Sequence, residues 1–385
     1  MVVSINTVSL KLWSFYNPVH LIAGRGALKQ LPRFIGEGRV LLVTTPGFSE
    51  RGLTGAIKEL LPDRELVVLD NVKPNPAIDA LERDAEQLEG LNIRQIVALG
   101  GGSAIDTAKV LTYMLATGTG FSLRGYFKQQ GTLPDAAPLP LLAIPTTSGT
   151  GSEVTPFATV WDLAAEKKYS LASPRLFARA ALLDPELTLT LPQDITIVTG
   201  LDALSHAFES IWNRNANLMT RGYALRAIGI ILNTLPALIS KLQDMGLRFK
   251  MMEASTLAGL AISGSRTALA HSISYPITAR HGMPHGLACS FTLPAILEYN
   301  AGADDGRLLD TARALGFGSI AALHSELVKL FRKIKIREMV GKYISPNEDL
   351  AVLIPRMFTP GRADNNLREV TPEHLRHILQ VSLTI

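Results

Sequence analysis

Apolar residues follow different periods in the two halves of the chain. In the first half, helix-like stretches such as 77–90 alternate with short β-rich runs: RVLLVTT (39–45), RELVVLD (64–70) and RQIVALG (94–100). This alternation is typical of βαβ units, in which helices connect parallel strands. The first half is therefore predicted to be an α/β domain built on a parallel sheet.

Helical patterns dominate after residue 190. They cover 201–213, 218–243, 248–263 and 319–333, and β-branched strand signals become rare. The change falls in DPELTLTLPQD (184–194), where Pro185 and Pro192 interrupt both patterns and Asp194 is a candidate N-cap for the next helix. We therefore expect two domains, 1–190 and 191–385, the second of them all-helical.

Composition excludes several classes of protein. At 385 residues, with 47% hydrophobic and 19% charged residues, the chain can fill the cores of two globular domains. A net charge of +4 from scattered Lys and Arg does not favour nucleic acid. The first residues lack a secretion-signal pattern, and no run is long enough to span a membrane. The lone cysteine, Cys289, fits a reducing compartment, so we expect a soluble cytoplasmic protein.

Two apolar segments carry a candidate metal site. GLDALSHAFES contains Asp202 and His206, and AHSISYPITARHGMPHG contains His271 and His285. On a helix, residues four apart project from one face, so Asp202 and His206 can bind the same ion. One carboxylate and three imidazoles suit Fe²⁺ or Zn²⁺. The alternative is a surface Asp/His pair with two unrelated histidines, but such small apolar surroundings make unpaired charges costly to bury.

Two glycine-rich loops follow apolar strands in the first half. Gly100-Gly101-Gly102-Ser103 separates QIVAL from a helix-compatible run, and IPTTSGTGSEVTPFA (144–158) follows PLPLLAI. Glycines between a strand and a helix let backbone N–H groups approach a phosphate. A tight turn and a polar hairpin loop are the respective alternatives. In a parallel sheet, however, both loops would lie at the carboxyl edge, where nucleotides bind.

These motifs, in this order, resemble the iron-containing (group III) alcohol dehydrogenase family. The run GGGSAIDTAK, the loop PTTSGTGSE, the stretch DPELTLTLP, GLDALSHAFE and the AH…PHG segment carry the resemblance, which covers nearly the whole chain. It implies a Rossmann-like NAD(P)-binding domain, an all-α metal-binding domain and a dehydroquinate synthase-like architecture, with the active site between the domains.

The resemblance also implies residue roles. The four metal-site residues named above match the family's ligands. The residues that match cofactor contacts are Gly101, Gly102, Ser103, Asp106, Thr146, Thr147, Ser148 and Lys168.

Two positions depart from the family pattern. Many relatives end the first strand with an acidic residue that binds the adenosine ribose, and here Thr45 stands there. Losing that charge removes repulsion against a 2′-phosphate, so we expect NADPH to be accepted beside NADH. Four residues after His271, many relatives have a further histidine near the substrate, and here Tyr275 replaces it.

The segment 265–291 looks most like the phosphonoacetaldehyde reductase subgroup, which forms 2-hydroxyethylphosphonate. A dianionic substrate needs cationic side chains, and Arg266 and Arg280, which flank His271, are the candidates. Their alternative is a solvated position on a helix surface.

Charge development dictates the expected mechanism. Hydride transfer leaves negative charge on the aldehyde oxygen, which a metal acting as a Lewis acid would stabilise. Water, the cofactor ribose, Tyr275 or His281 could carry the proton, although a histidine in a glycine-containing loop is usually a surface residue. Cys289 is expected to be a small buried apolar residue.

Other functions remain open at this point. A general short- or medium-chain alcohol dehydrogenase would differ only in substrate. A dehydroquinate synthase-type lyase would use NAD and metal without net redox change. A metal-dependent hydrolase would bind no nucleotide, and a non-catalytic binding module would not need this set of residues. The expected partners are a small aldehyde or alcohol and further copies of the chain, most simply in a dimer.

Overall fold

The computed structural model describes residues 12–129, 131–345 and 348–384. Most of the N-terminal stretch on which the absence of a secretion signal was judged, residues 1–11, lies outside the described residues. Among the described residues, no helix combines the length and apolar character needed to cross a bilayer.

A six-stranded parallel sheet forms the first half, as predicted. The strand order is β1-β8-β5-β4-β2-β3. Alternate residues of β2 contribute to two separate cores, Leu41 and Val43 to one and Val40 and Leu42 to the other. This period of two means that both faces of the sheet are covered, which explains the near-continuous apolar strands. The strands are β1 His20–Ala23, β2 Arg39–Val43, β3 Leu66–Leu69, β4 Ile93–Gly100, β5 Leu141–Pro145 and β8 Ala180–Leu183.

Five helices accompany this sheet. Buried Ala104, Ile105 and Ala108 of the fourth helix join the same core as Leu41 and Val43. The helices are α1 Pro46–Glu50, α2 Leu53–Leu60, α3 Ile78–Leu88, α4 Gly102–Thr117 and α5 Leu123–Lys128. Short 3-10 segments occupy Ala27–Phe34, Gly118–Gly120, Ser152–Val154, Pro174–Leu176 and Pro185–Thr188.

An antiparallel hairpin is inserted before the last strand of the sheet. It consists of β6 Phe157–Asp162 and β7 Lys167–Ala172. Arg356 of the helical half binds the turn of this hairpin. Its Nη1 donates to Oε2 of Glu166 at 2.8 Å, and its Nη2 donates to the Glu166 carbonyl at 2.7 Å. The sequence analysis did not predict this hairpin.

The second half is helical throughout its described residues. The helices are α6 Gln193–Trp212, α7 Leu218–Leu238, α8 Met245–Ser265, α9 Leu269–His281, α10 His285–Ala288, α11 Leu293–Ala301, α12 Arg307–Ala314, α13 Ile320–Lys333, α14 Ile336–Gly341 and α15 Pro372–Ser382, with 3-10 segments at Leu350–Met357 and Ala363–Asn365.

The start of α6 corrects one expectation. Asp194 does not cap this helix, because the helix begins at Gln193 after Pro192 and Asp194 lies within its first turn. The carboxylate still interacts favourably with the positive end of the helix dipole there. α7 also ends earlier than expected, at Leu238 rather than at residue 243.

The sheet and the helices meet at the second glycine-rich loop. A Cβ on Gly151, which has a φ of 59°, would lie 2.4 Å from Cα of Gly259 in α8. A Cβ on Gly149 would lie 2.8 Å from Cβ of Thr199 in α6. Only glycine permits this approach, so the loop at the carboxyl edge of the sheet is held against α8 and against α6, which carries Asp202 and His206.

Candidate metal centre and cofactor cleft

Helix α6 presents Asp202, His206 and Glu209 on buried faces, with side chains 5%, 7% and 0% exposed. His271 lies in the first turn of α9, and His285 begins α10. The side chains of all three histidines and Asp202 converge. Nε2 of His206 lies 3.7 Å from Oδ1 of Asp202, and Nε2 of His271 lies 3.8 Å from the same oxygen.

The tightest set of potential ligand atoms differs by one residue from the predicted quartet. One atom each from Asp202, His271, His285 and Cys289 lies within 4.8 Å of all the others. His206 is outside that set, although its ring stacks on His271 with centroids 4.7 Å apart. The structure thus brings the four predicted residues together and adds the Cys289 thiol.

Unsatisfied nitrogen atoms test whether a cation fits here. Nδ1 of His206, Nε2 of His271 and Nδ1 of His285 are buried, and none has a hydrogen-bond partner among the described residues. Buried polar atoms normally find partners, since leaving one without a partner costs about 1–3 kcal/mol. Nε2 of His271 is the unpartnered atom that faces Asp202, and ligand atoms of Asp202, His271 and His285 lie within 4.8 Å of one another. A bound divalent ion would supply the missing partner, so the residues fit a metal.

The electrostatics of the cluster also suit a cation. Burial lowers the pKa of His206 to about 4 and that of His285 well below its usual range, so both rings are neutral. Burial alone would raise the pKa of Asp202, but the neighbouring histidines outweigh it and hold the pKa below its usual range. Asp202, His206 and His285 are therefore already in the forms that a metal requires of its ligands, an ionised carboxylate and neutral imidazoles.

Glu209 is a site residue that the sequence analysis missed. Its Oε2 lies 2.5 Å from Nδ1 of His271, and its Oε1 accepts the His271 backbone N–H at 3.1 Å. Burial opposes the imidazolium, but the Glu209 charge, together with Cys289 and Asp202, outweighs burial and raises the pKa of His271 well above its usual range. The available signal was a carboxylate seven positions after Asp202 in an otherwise apolar helix, which places both on one face.

Cys289 is buried as expected, but it is not merely apolar. Its Sγ donates to Oδ1 of Asp202 at 3.3 Å, and burial raises the pKa of the thiol to about 11. The neutral thiol is therefore a donor that orients one oxygen of the candidate ligand Asp202.

Gly286 allows His285 to reach the cluster. A Cβ on Gly286 would lie 2.1 Å from the Val198 carbonyl oxygen and 3.0 Å from Cβ of Asp202. Glycine at this position therefore lets α10 pack directly on the backbone of α6. The PHG motif accordingly combines a candidate ligand with the contact that positions it.

The two candidate cofactor loops end adjacent parallel strands. Gly100 of β4 is paired with Pro145 of β5, and Thr146 N–H donates to the Gly100 carbonyl at 3.0 Å. A Cβ on Gly101 would lie 3.1 Å from Oγ1 of Thr147, and one on Gly102 would lie 2.6 Å from Cγ2 of Thr150. The loops therefore touch, as the argument from the sheet edge expected.

The remaining loop residues lie around the start of α4. Gly101 is its N-cap and Gly102 and Ser103 open its first turn, so their N–H groups lie at the positive end of the helix dipole. Ser148 and Thr146 are buried, whereas Thr147 and Ser103 are half-buried. Thr45 lies at the carboxyl end of β2 as the N-cap of α1, and its side chain makes no capping hydrogen bond.

Asp106 is held in place from the hairpin side. Its Oδ1 accepts from Oγ of Ser152 at 2.5 Å, and its Oδ2 accepts the Thr159 N–H at 2.8 Å. Beneath it, the fully buried Lys109 donates to the Thr155 and Phe157 carbonyls at 2.7 and 2.9 Å. Burial lowers the pKa of Lys109 to about 8. This buried lysine connects α4 to the start of the hairpin strand β6.

Lys168 and Tyr275 bring the hairpin and the helical half together. Nζ of Lys168 lies 4.3 Å from the ring centroid of Tyr275, and that ring stacks on His285 with centroids 6.3 Å apart. Burial would raise the pKa of Tyr275, but the charges of Lys168 and Arg362 outweigh it and lower the pKa to about 8. Tyr275 is therefore placed between a cation and a candidate metal ligand.

The other sequence candidates lie outside this cluster. Arg266 ends α8 with a φ of 64° and has an exposed side chain, and Arg280 is exposed in the last turn of α9. His281 differs from the expected surface histidine, because its side chain is only 9% exposed and its Nε2 lies 3.4 Å from Oε1 of Glu348.

Comparison with known proteins agrees with the resemblance that the motifs indicated. Residues 18–185 match the family described as iron-containing alcohol dehydrogenase, and residues 196–383 match the C-terminal part of the same family. The 1-propanol dehydrogenase of Salmonella typhimurium is 30% identical over 390 aligned positions, which cover 97% of this chain and 99% of that protein. The NAD-dependent methanol dehydrogenase of Bacillus methanolicus is 29% identical, with 96% and 100% covered.

A solved structure extends the similarity to three dimensions. The sulfoacetaldehyde reductase of Bifidobacterium kashiwanohense, crystallised in complex with NAD⁺, is 30% identical and superposes with a TM-score of 0.89. The similarity covers 97% of this chain and 99% of that one. The chain therefore belongs to the iron-containing alcohol dehydrogenase family and is an alcohol or aldehyde oxidoreductase.

Proposed function

We propose that this protein reduces a small aldehyde to its primary alcohol with NADH or NADPH, and that it requires Fe²⁺, with Zn²⁺ as the alternative metal. One observation carries the proposal. Three histidines lie around an ionised Asp202, and each has a buried ring nitrogen without a hydrogen-bond partner among the described residues. We keep 1–190 and 191–385 as the proposed domain bounds.

The metal would be held by Asp202, His206, His271 and His285, with Cys289 adjacent. Bound there, the metal would polarise the aldehyde oxygen as a Lewis acid, and the dihydronicotinamide would supply the hydride. Glu209 fixes the ring of His271 through Nδ1 and leaves Nε2 directed at the cluster. Cys289 holds the orientation of Asp202 by donating to Oδ1.

We propose cofactor contacts along the two touching loops. The backbone N–H groups at the start of α4 would bind the pyrophosphate, because they are free donors at a helix N-terminus. Asp106 is fixed by Ser152 and Thr159 and would face the nicotinamide side. The proposed contacts are Thr45, Gly101, Gly102, Ser103, Asp106, Thr146, Thr147, Ser148 and Lys168.

Tyr275 is the proposed proton donor for the product alkoxide. A pKa of about 8 lets the phenol remain mostly protonated at neutral pH and still release its proton readily. Its ring stacks on His285, so its hydroxyl belongs to the same local cluster as the candidate metal ligands. The cation of Lys168 over the ring would stabilise the phenolate that forms.

Phosphonoacetaldehyde is the proposed substrate, giving 2-hydroxyethylphosphonate. Two considerations support an anionic two-carbon aldehyde. The cation of Lys168 lies over the ring of Tyr275, and one similar solved protein is a sulfoacetaldehyde reductase, whose substrate carries a sulfonate in the same position. A neutral short-chain alcohol or aldehyde is the second candidate, because two relatives of similar identity are named for propanol and methanol.

A reduced-cofactor assay tests the reaction. Metal-stripped protein reloaded with Fe²⁺ or Zn²⁺ should oxidise NADH or NADPH at about 340 nm when phosphonoacetaldehyde, propanal or lactaldehyde is added. Protein without metal should be inactive. A product that forms without absorbance change would indicate the lyase-type reaction, and no cofactor oxidation with any aldehyde would refute the proposed function.

Two further proposals concern the cellular compartment and the oligomeric state. The single cysteine of the chain fits a reducing compartment, and we propose the cytoplasm. We also propose a homodimer, which light scattering of the purified protein tests directly.

A further inference from the structure

Two half-buried cations lie on segments that pack against α9, the helix that carries Tyr275. Lys168 and Arg362 are each partly shielded from solvent, and neither forms a salt bridge with any carboxylate in the part of the chain that the structure describes. A cation that is partly shielded from water and has no counterion gains when a ligand supplies the negative charge. These two residues therefore differ from the exposed Arg266 and Arg280, whose charges water can solvate.

Lys168 approaches the centre from the hairpin. It lies on β7, and its Nζ is 4.3 Å from the Tyr275 ring centroid. β7 itself packs against α9, the helix that carries His271 and Tyr275. The two hydrogen bonds from Arg356 to Glu166 fix the hairpin turn two residues before Lys168.

Arg362 lies in a second segment that is fastened to α9. The hydroxyl of Ser272, next to His271, donates to the Met357 carbonyl at 2.5 Å and accepts the Thr359 N–H at 2.9 Å. Nδ2 of Asn365 donates to the Thr267 carbonyl at 2.9 Å, just before α9 begins. The segment that carries Arg362 is thus anchored at both ends to residues around His271.

The guanidinium of Arg362 keeps free donors. Its Nη1 donates to the Gly361 carbonyl at 2.8 Å, and the guanidinium donates to no other acceptor among the described residues. A guanidinium has five N–H groups in a planar fork, a shape that binds two oxygens of a phosphonate or sulfonate at once.

We propose that Arg362, together with Lys168, forms a subsite that binds the tetrahedral oxyanion of a two-carbon aldehyde. The subsite rests on the proposed function, because the aldehyde end would lie towards the metal centre and Tyr275. Phosphonate and sulfonate share this chemistry and differ in charge. The assignment replaces Arg266 and Arg280 as the anion-binding residues.

The test compares charged and neutral aldehydes in Arg362→Ala and Arg362→Lys. For phosphonoacetaldehyde and sulfoacetaldehyde, Arg362→Ala should lower kcat/KM about 10- to 100-fold, mainly by raising KM. The loss with propanal should be much smaller, and Arg362→Lys should recover part of the affinity for the anions. The larger loss identifies which anion the site is built for. Arg313→Ala, on the exposed surface of α12, is the matched control.

Several outcomes would overturn the subsite. Equal losses with charged and neutral aldehydes would make Arg362 a structural residue, and a larger selective loss in Arg266→Ala or Arg280→Ala would move the subsite. A wild-type enzyme that reduces propanal as efficiently as both anionic aldehydes refutes the subsite but leaves the proposed function standing. A wild-type enzyme that reduces no aldehyde refutes the proposed function itself.

Inhibition of the wild-type enzyme supplies a readout that does not depend on how well the variants fold. Ethylphosphonate and ethanesulfonate should compete with propanal, whereas neutral propanamide should compete far less. Since a phosphonate could also bind the metal directly, the Arg362→Lys variant should relieve this inhibition. Inhibition that is equally strong in the variant, or absent in the wild type, contradicts the proposal.

Discussion

Nδ1 of His271 lies 2.5 Å from Oε2 of Glu209, and both side chains are almost completely buried. The same carboxylate also accepts the backbone N–H of His271, so the ring and its helix turn are held by one residue. A carboxylate on the far nitrogen of a histidine fixes the ring orientation and increases the basicity of the nitrogen that faces the metal. Glu209 thus acts on the metal centre without being one of its proposed ligands.

Removing the charge of Glu209 should weaken metal binding. In Glu209→Gln, the amide cannot match the carboxylate as an acceptor, so the affinity for Fe²⁺ or Zn²⁺ should fall about 10- to 100-fold. Equilibrium dialysis with elemental analysis measures this directly. Glu298→Gln, on the exposed face of α11, is the control and should bind metal like the wild type. Equal affinity in both variants would exclude a role for Glu209 at the metal.

Metal binding should release a proton from His271. Burial lowers the pKa of His271, but Glu209, Cys289 and Asp202 together raise it well above its ordinary value of 6.5, so the metal-free ring is protonated at pH 7. A metal ligand must be deprotonated, and about one proton per ion should therefore be released. Affinity should rise with pH until the pKa of His271 is passed. Calorimetry in buffers of different ionisation enthalpy counts the protons, and the count should fall in Glu209→Gln.

The parts of this structure that the sequence predicted are those with a local signal. The apolar run of β4 and the long patterns of α6, α7 and α8 lie close to their expected positions. The hairpin was missed because β7 begins with two lysines and its turn has no Gly or Pro, only Glu166 at a φ of 47°. A pattern read along the chain contains no signal for such a turn.

The candidate site also contains residues with a local sequence signal and residues without one. Asp202 and His206 are neighbours on one helix, and the glycine loops follow adjacent strands, so spacing was informative. The segment that carries Arg362 is brought to α9, the helix of Tyr275, only by the fold, because Ser272 and Asn365 fasten it there. Its role could not be inferred from neighbouring residues in the sequence.

Gly286→Ala should damage the metal centre through packing alone. The new methyl group would lie 2.1 Å from the Val198 carbonyl oxygen, so α10 must move away from α6 and take His285 with it. We expect a loss of about 1–3 kcal/mol in the free energy of unfolding, together with metal binding that is at least about tenfold weaker. Denaturant unfolding and dialysis measure the two effects.

Gly222→Ala is the control for that substitution. Gly222 lies within α7 and no atom lies within 4 Å of an added Cβ, so the variant should be stabilised by up to about 1 kcal/mol and should bind metal normally. If Gly286→Ala retained full metal affinity, the close approach of α10 to α6 would not be what positions His285.

Tyr275 should ionise unusually early in the metal-free protein. Burial opposes the phenolate, but the Lys168 and Arg362 charges lower its pKa from 10.0 to about 8. Absorbance near about 295 nm should rise around pH 8, and this step should be absent in Tyr275→Phe. Because the folded-state pKa is the lower one, this ionisation stabilises the fold increasingly from pH 8 to 10 and contributes nothing below pH 8. Arg362→Ala should raise the pH at which this absorbance step occurs. An unchanged pH would show that the charge of Arg362 does not act on Tyr275.

Thr45 should determine how well the enzyme accepts NADPH. It ends the segment after β2 at the carboxyl edge of the sheet, and its hydroxyl is not used to cap α1. An aspartate there would repel a 2′-phosphate and could bind the ribose hydroxyls of NADH. Thr45→Asp should therefore lower kcat/KM with NADPH about 10- to 100-fold and leave or raise that with NADH. Thr45→Ser, which adds no charge, is the control. A wild-type enzyme whose kcat/KM with NADH exceeds that with NADPH about 100-fold would show that another residue already excludes the 2′-phosphate.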